Sequence, residues 1–188
     1  MPTSSRERMV ASTAALIGAH GVSATSFADV LADSGAPRGS IYHHFPDGKK
    51  QLVEDALNWT AEQVRVYQQT CIATTAPGVL EHFVDLFRRS VQSSGCRTGC
   101  PVAGVAIDTY ADEEGLIEVV RATFRSWISL LAEQLRAVGT PARSARSLAV
   151  TALASVEGAL ILCRAEGDVS PLDTVAAQLV RLAGPAGL

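Results

Sequence analysis

The stretch Ser26-Phe27-Ala28-Asp29-Val30-Leu31-Ala32-Asp33-Ser34-Gly35-Ala36-Pro37-Arg38-Gly39-Ser40-Ile41-Tyr42-His43-His44-Phe45 decides the fold. Ser26 carries a hydroxyl suited to cap a helix, and Asp29, three residues on, is its capping-box partner. Phe27, Val30 and Leu31 form an apolar stripe at helical spacing that Gly35 stops. Pro37 suits a first helical position and predicts a second short helix through Ile41 to Phe45. Two short helices joined by the glycine-bearing corner Ser34-Gly35-Ala36-Pro37 read as a helix-turn-helix, whose second helix enters the major groove. Ile41 and Phe45, four apart, then face the core, and Arg38, Ser40, Tyr42, His43 and His44 face outward. Arg38 can offer a bidentate contact to guanine, while Tyr42 and the histidines suit phosphate oxygens. Thr25 and Ser26 sit at a helix start, where backbone N–H groups also favour phosphate. Pro46-Asp47-Gly48 reads as a turn, and Lys49 beyond it places a cation at the start of the next helix. Adjacent His43 and His44 diverge by about 100° on a helix, which makes a shared metal a poor reading.

Outward from this motif the pattern is helical throughout. Met9, Val10, Thr13, Ala14, Leu16 and Ile17 predict a helix ahead of it, stopped by Gly21. Behind it, Leu52, Val53, Ala56, Leu57, Val64 and Tyr67 mark one stripe, and Val79, Phe83, Leu86, Phe87 and Val91 the next. A short apolar helix is expected from Val102 to Tyr110. The stripe Leu116, Val120, Phe124, Trp127, Ile128, Leu131, Leu135, Val138 is broken by Gly139-Thr140-Pro141. Two further helices are expected over 142–165 and 171–183. With no period-two stretch and no internal repeat, the reading is all-α with about nine helices. Residues 4–64 form a three-helix helix-turn-helix domain, with the motif at 26–45, and residues 65–188 form a larger helical domain.

The chain has 188 residues, 47% of them hydrophobic and 19% charged, enough for a buried core and against long disorder. Sixteen Lys+Arg against nineteen Asp+Glu give a net charge of −3, which excludes a uniformly basic coat but not a local basic face. Residues 1–50 carry Arg6, Arg8, Arg38, Lys49 and Lys50 against Glu7, Asp29, Asp33 and Asp47, whereas the remainder is acidic. Lys49 and Lys50 are the chain's two lysines, and His20, His43 and His44 lie in the same region. No apolar run approaches the roughly 20 residues that cross a bilayer, and His20 and Gly21 interrupt any signal-peptide core. Four cysteines, Cys71, Cys96, Cys100 and Cys163, are too few for a disulfide scaffold. These features together predict a soluble cytoplasmic protein.

Cys96 and Cys100, with Arg97 between them, could form a thiol-redox pair. A zinc site wants about four ligands, and no second pair with suitable spacing exists, so no metal is expected. There is no nucleophile elbow, phosphate-binding glycine loop or metal triad, hence no catalytic residues and no cofactor. Trp59, Tyr67, Phe83, Phe87, Tyr110, Phe124 and Trp127 fall on or near the central stripes. Aromatics at helical spacing pack cores more often than they line cavities, yet these could surround an apolar effector. His82, Asp108 and Glu157 are the polar candidates for orienting it. A small helical enzyme with an aromatic substrate cavity, and a regulator sensing redox through Cys96 and Cys100, remain alternatives.

The segments Gly21-Val22-Ser23-Ala24-Thr25-Ser26-Phe27 and Ser34 through Pro46 resemble the DNA-binding domain of TetR-family transcriptional regulators. The turn Pro46-Asp47-Gly48-Lys49-Lys50 carries one residue more than the usual family pattern, which leaves open whether Lys49 or Lys50 reaches phosphate. With Gly99-Cys100-Pro101-Val102-Ala103-Gly104, it resembles the LmrA/YxaF-like branch. The resemblance implies a ligand-responsive repressor that binds a palindromic DNA operator as a homodimer and is released by a small apolar or aromatic effector. The DNA contacts would come from Thr25, Ser26, Pro37, Arg38, Ser40, Tyr42, His43, His44 and Lys49. The effector pocket would be drawn from Trp59, Phe83, Phe87, Asp108, Tyr110, Phe124, Trp127 and Glu157. The last two long helices would form a four-helix dimer interface. Leu148, Ala152, Val156, Ala159, Leu160, Cys163, Val175 and Leu179 supply a small-residue apolar surface suited to close helix approach.

Overall fold

The computed structural model describes residues 4–108 and 114–184. Among these residues it holds nine helices and no strand: α1 (Ser5–His20), α2 (Phe27–Ser34), α3 (Ser40–His44), α4 (Gly48–Gln69), α5 (Ala76–Ser93), α6 (Pro101–Asp108), α7 (Glu114–Ala137), α8 (Ala142–Glu166) and α9 (Ser170–Ala183). The all-α expectation therefore holds.

Local chemistry sets the boundaries. Ser4 caps α1 reciprocally with Glu7, its Oγ accepting the Glu7 N–H at 3.1 Å while the Glu7 carboxylate accepts the Ser4 N–H at 3.0 Å. Ser26 and Asp29 do the same for α2. The hydroxyl and amide of Ser26 hold the Asp29 carboxyl below the usual carboxylate range. Gly35 ends α2 at φ +63°, in the left-handed region that a glycine occupies without a Cβ penalty. The next helix differs from expectation: α3 starts at Ser40 rather than at Pro37. Both the amide and the hydroxyl of Ser40 donate to the Pro37 carbonyl, at 2.9 and 2.7 Å, so residues 37–40 form a turn that precedes the helix.

The chain divides into two compact units, the first comprising residues up to Glu62 with Cys100–Thr123, the second Gln63–Gly99 with residues from Phe124 onward. Residues 100–123 thus group with the helix-turn-helix, whereas the sequence reading assigned everything beyond residue 64 to the second domain. The physical reason is α6, which packs against α1. Gly104 lies at that contact, where even an added Cβ would reach the Ile17 carbonyl oxygen at 3.4 Å, an ordinary van der Waals distance.

The core of the first unit is Met9, Val10, Val30, Ala36, Ile41, Phe45 and Leu52. In the second unit α5, α8 and α9 pack on one another. Their contacts bury Ala145, Ala149, Ala152, Val156 and Cys163 completely, and burial pushes the Cys163 thiol up. One expectation fails here: α8 is long and apolar enough to cross a membrane. Its apolarity comes from four leucines, two valines and an isoleucine as well as seven alanines, and its inward face packs on α5 and α9.

Candidate nucleic-acid interface and effector region

Helix α3 has only five residues, too few to be stable by itself, so packing must hold it. Ile41 and Phe45, four residues apart, are both 0% exposed and anchor its inner side. The Arg6 guanidinium stacks over the Phe45 ring at 5.5 Å and pairs with Asp55 at 2.7 Å. With the inner side fixed, Tyr42 is forced outward and stands 70% exposed, braced edge-on against Phe27 with ring centroids 5.7 Å apart. His43, Arg38 and Pro37 are exposed, while Ser40 and His44 are half-buried. Arg38 makes no hydrogen bond or ion pair among the described residues, which leaves its five donors available. This face presents a guanidinium, a phenol and imidazole nitrogens on one short rigid segment.

Around it, residues expected at the phosphate backbone are placed differently. Thr25 is only 4% exposed, and its hydroxyl donates to the Gly21 carbonyl at 2.8 Å, so it braces the loop between α1 and α2. Ser26 remains exposed at the tip of α2. The Lys49 ammonium turns back to the Val22 carbonyl at 2.7 Å. Lys50 is exposed, with its ammonium beside Gly115. Asp108, expected to orient an effector, instead accepts the Val22 N–H at 2.8 Å.

In the second unit four of the expected effector residues come together. Phe83 and Phe87 meet at 5.3 Å, Phe87 and Trp127 at 6.5 Å, and Phe124 and Trp127 at 5.7 Å, all edge-on. Phe83, Phe87 and Trp127 are buried as a closed cluster. Trp59 is not among them; it packs against the core of the first unit. Tyr110 lies outside the described residues. Glu157 is half-buried on α8. His82 stacks on Tyr67 at 4.5 Å. These two rings stand beside a groove of about 840 Å³ between α5 and α9, lined by the charged Glu81, Asp85, Arg88, Asp173 and Arg181 and by the apolar Ile72, Ala73, Ala176, Ala177 and Val180. There the Tyr67 hydroxyl donates to Asp85 at 2.9 Å. Burial and that hydrogen bond raise the phenol above its ordinary value. Burial also works against the Asp85 carboxylate, but Tyr67 and Arg89 outweigh it and hold the group low.

Gln68 escaped the sequence reading. It is 1% exposed, and both its Oε1 and its Nε2 are buried without a partner among the described residues. A buried polar group left unpaired costs about 1–3 kcal/mol. The available signal was a glutamine standing four residues after Val64 on an apolar stripe.

The small-residue face expected to pair two subunits is covered by the chain itself. Ala152, Val156, Ala159, Leu160, Cys163 and Leu179 are all buried within the single subunit, while Leu148 and Val175 are half-buried. The opposite side of α8 is open, with Val150, Ile161 and Leu162 exposed beside Thr151, Ala154 and Gly158. No disulfide joins the cysteines, and no group of three metal-ligating side chains occurs, among the described residues.

Residues 10–56 match the family model for bacterial regulatory proteins of the tetR family. Residues 77–178 match the model for the C-terminal domain of LmrA/YxaF-like transcriptional regulators. An HTH-type transcriptional regulator of Mycobacterium tuberculosis is 40% identical over 185 residues, covering 94% of this chain and 93% of the relative. The HTH-type transcriptional regulator LmrA of Bacillus subtilis is 29% identical over 170 residues, covering 89% of this chain and 90% of its own. A TetR transcriptional regulator from Legionella pneumophila has the same fold, with a TM-score of 0.87 at 24% identity over 97% of this chain and 98% of that one.

Proposed function

The chain belongs to the TetR family of bacterial transcriptional regulators, in its LmrA/YxaF-like branch, and on that footing we propose that it is a repressor that grips a palindromic DNA operator as a homodimer in the cytoplasm and lets go when a small apolar or aromatic effector binds. The family and its relatives are transcriptional regulators, which sets the enzyme reading aside. The observation that carries the proposal is the sidedness of α3: Ile41 and Phe45 are locked into the core, and Arg38, Tyr42 and His43 are turned out. Ser26, Pro37, Ser40 and His44 border that face, and Lys50, exposed at the start of α4, offers a phosphate contact.

One such segment makes too few contacts for tight specific binding, so two are needed. The exposed side of α8 supports the pairing. Thr151, Ala154, Gly158 and Ile161 follow one another at three- and four-residue steps on a single face, and Gly158 has nothing within 4 Å of where a Cβ would be, so another helix can approach closely. An apolar effector would have to part the closed cluster of Phe83, Phe87, Phe124 and Trp127, whose rings would then line it, with the unpaired Gln68 amide in the same unit as a polar anchor. Coupling between effector and operator of about 1–3 kcal/mol is typical of such switches.

Selection of bound fragments from a random duplex library tests the reading. The expected product is an inverted repeat whose half-sites lie about 10–10.5 base pairs, or a multiple, apart. A panel of planar aromatic compounds should then release the complex. Recovery of no sequence preference, or binding by a lone subunit, would overturn it.

A further inference from the structure

Val22 lies in the loop between α1 and α2, four residues ahead of the Ser26 cap, and its backbone N–H and carbonyl are each held by a side chain from another helix. Its N–H donates to Oδ2 of Asp108, the last residue of α6, at 2.8 Å. Its carbonyl accepts the Lys49 ammonium from the first turn of α4 at 2.7 Å, together with the Thr25 N–H at 3.1 Å. Both outside contacts are charge-assisted, and such hydrogen bonds are roughly twice as strong as neutral ones. The backbone is shaped to admit the carboxylate: Gly21 has φ +82°, and a Cβ built on it would lie 2.1 Å from Oδ2 of Asp108. Any side chain at position 21 therefore evicts Asp108.

We propose that Asp108 and Lys49 are positioning residues for operator recognition: by clamping the Val22 backbone on both sides of its Cα they fix where α2 starts, while the phosphate contact of this turn belongs to Lys50. The geometry behind this is sequential. Phe27 is the first residue of α2 and the edge-on brace of Tyr42, so a shift of the loop is passed to the groove-facing side of α3. Lys49 cannot serve the phosphate backbone while its ammonium is committed to Val22, whereas Lys50 is exposed. The clamp also ties the reading segment to α6, a helix outside the helix-turn-helix, so withdrawal of Asp108 would loosen the loop without touching DNA. This inference rests on the operator-binding reading above.

The test measures operator affinity of the full chain against salt concentration, with native-state hydrogen exchange at the Val22 amide in the absence of DNA. Asp108→Ala and Lys49→Ala should each weaken operator binding by about tenfold. Their double variant should be no weaker than either alone, because both hold the backbone of the same residue. The salt slope should stay unchanged in all three. Lys50→Ala should weaken every duplex alike and lower that slope by about one. Asp108→Asn keeps an oxygen acceptor and should retain most of the affinity and of the Val22 protection that Asp108→Ala loses. A slope drop in Lys49→Ala with none in Lys50→Ala would overturn the assignment, as would additive losses or native Val22 protection in Asp108→Ala. Absence of any operator for the unaltered protein would sink the function reading instead, with the exchange result still deciding the clamp.

Discussion

Helices α3 and α8 are the shortest and the longest in the described chain, at 5 and 25 residues, and they are held in opposite ways. Helix α3 has two anchors, Ile41 and Phe45, and its remaining side chains face out or lie along the rim. Its direction is imposed by neighbours: Phe27 from α2, Arg6 from α1, and through the loop before α2 the side chains of Lys49 and Asp108. Helix α8 buries eight residues along its length, from Ala145 to Cys163, so no single contact decides where it lies. A segment fixed by a few strong points is easily displaced by one change. A segment fixed by many weak ones absorbs such changes. That contrast suits the proposed division of the chain into a reading segment and a scaffold.

The contrast can be broken most directly at the anchors. Phe45→Ala should cost about 3–5 kcal/mol in denaturant unfolding. Val156→Ala, equally buried on α8, should cost only about 2 kcal/mol for two lost methyl groups and a small cavity. Equal losses would mean that α3 is held by more than its two anchors. A smaller effect is expected from Arg38→Ala. It should leave stability within about 0.5 kcal/mol but relax discrimination at one operator position by about 1–3 kcal/mol. Undiminished discrimination at every position would remove Arg38 from base reading.

The smallest effect lies in the second unit and sharpens the comparison from the scaffold side. Because Tyr67 is raised by burial and by its bond to Asp85, folding favours the neutral phenol. Its contribution is fully present below the ordinary tyrosine value and fades as pH rises through the raised one. Absorbance titration should find Tyr67 ionising late, and Asp85→Asn should bring it back toward the ordinary tyrosine value. A normal titration in the unaltered protein would show that the hydroxyl contact does not persist in solution.

Much of this was legible in the sequence because local chemistry fixed it. The Ser26–Asp29 box, the Gly35 stop and the Ile41–Phe45 spacing each act within four residues, and all appear as read. What escaped depends on partners far along the chain. The bond between Asp108 and Val22 spans 86 positions, and no periodicity encodes it. The one local hint was Gly21, read as a helix stop when it also makes room for a carboxylate. The expected pairing residues of α8 are largely covered by the chain itself for a related reason. The expected residues are apolar and small, but α8 carries two such stripes, one buried and one exposed. Sequence alone does not say which one α5 and α9 cover.

That doubled apolarity has a consequence for how the chain is made. The inward stripe of α8 is roofed by α9, which runs to Ala183. At elongation rates of about 5–20 residues per second, α8 waits roughly 1–3 s for that roof. The order of synthesis therefore leaves the inward stripe of α8 without its α9 contacts until the last turn of that final helix has been added.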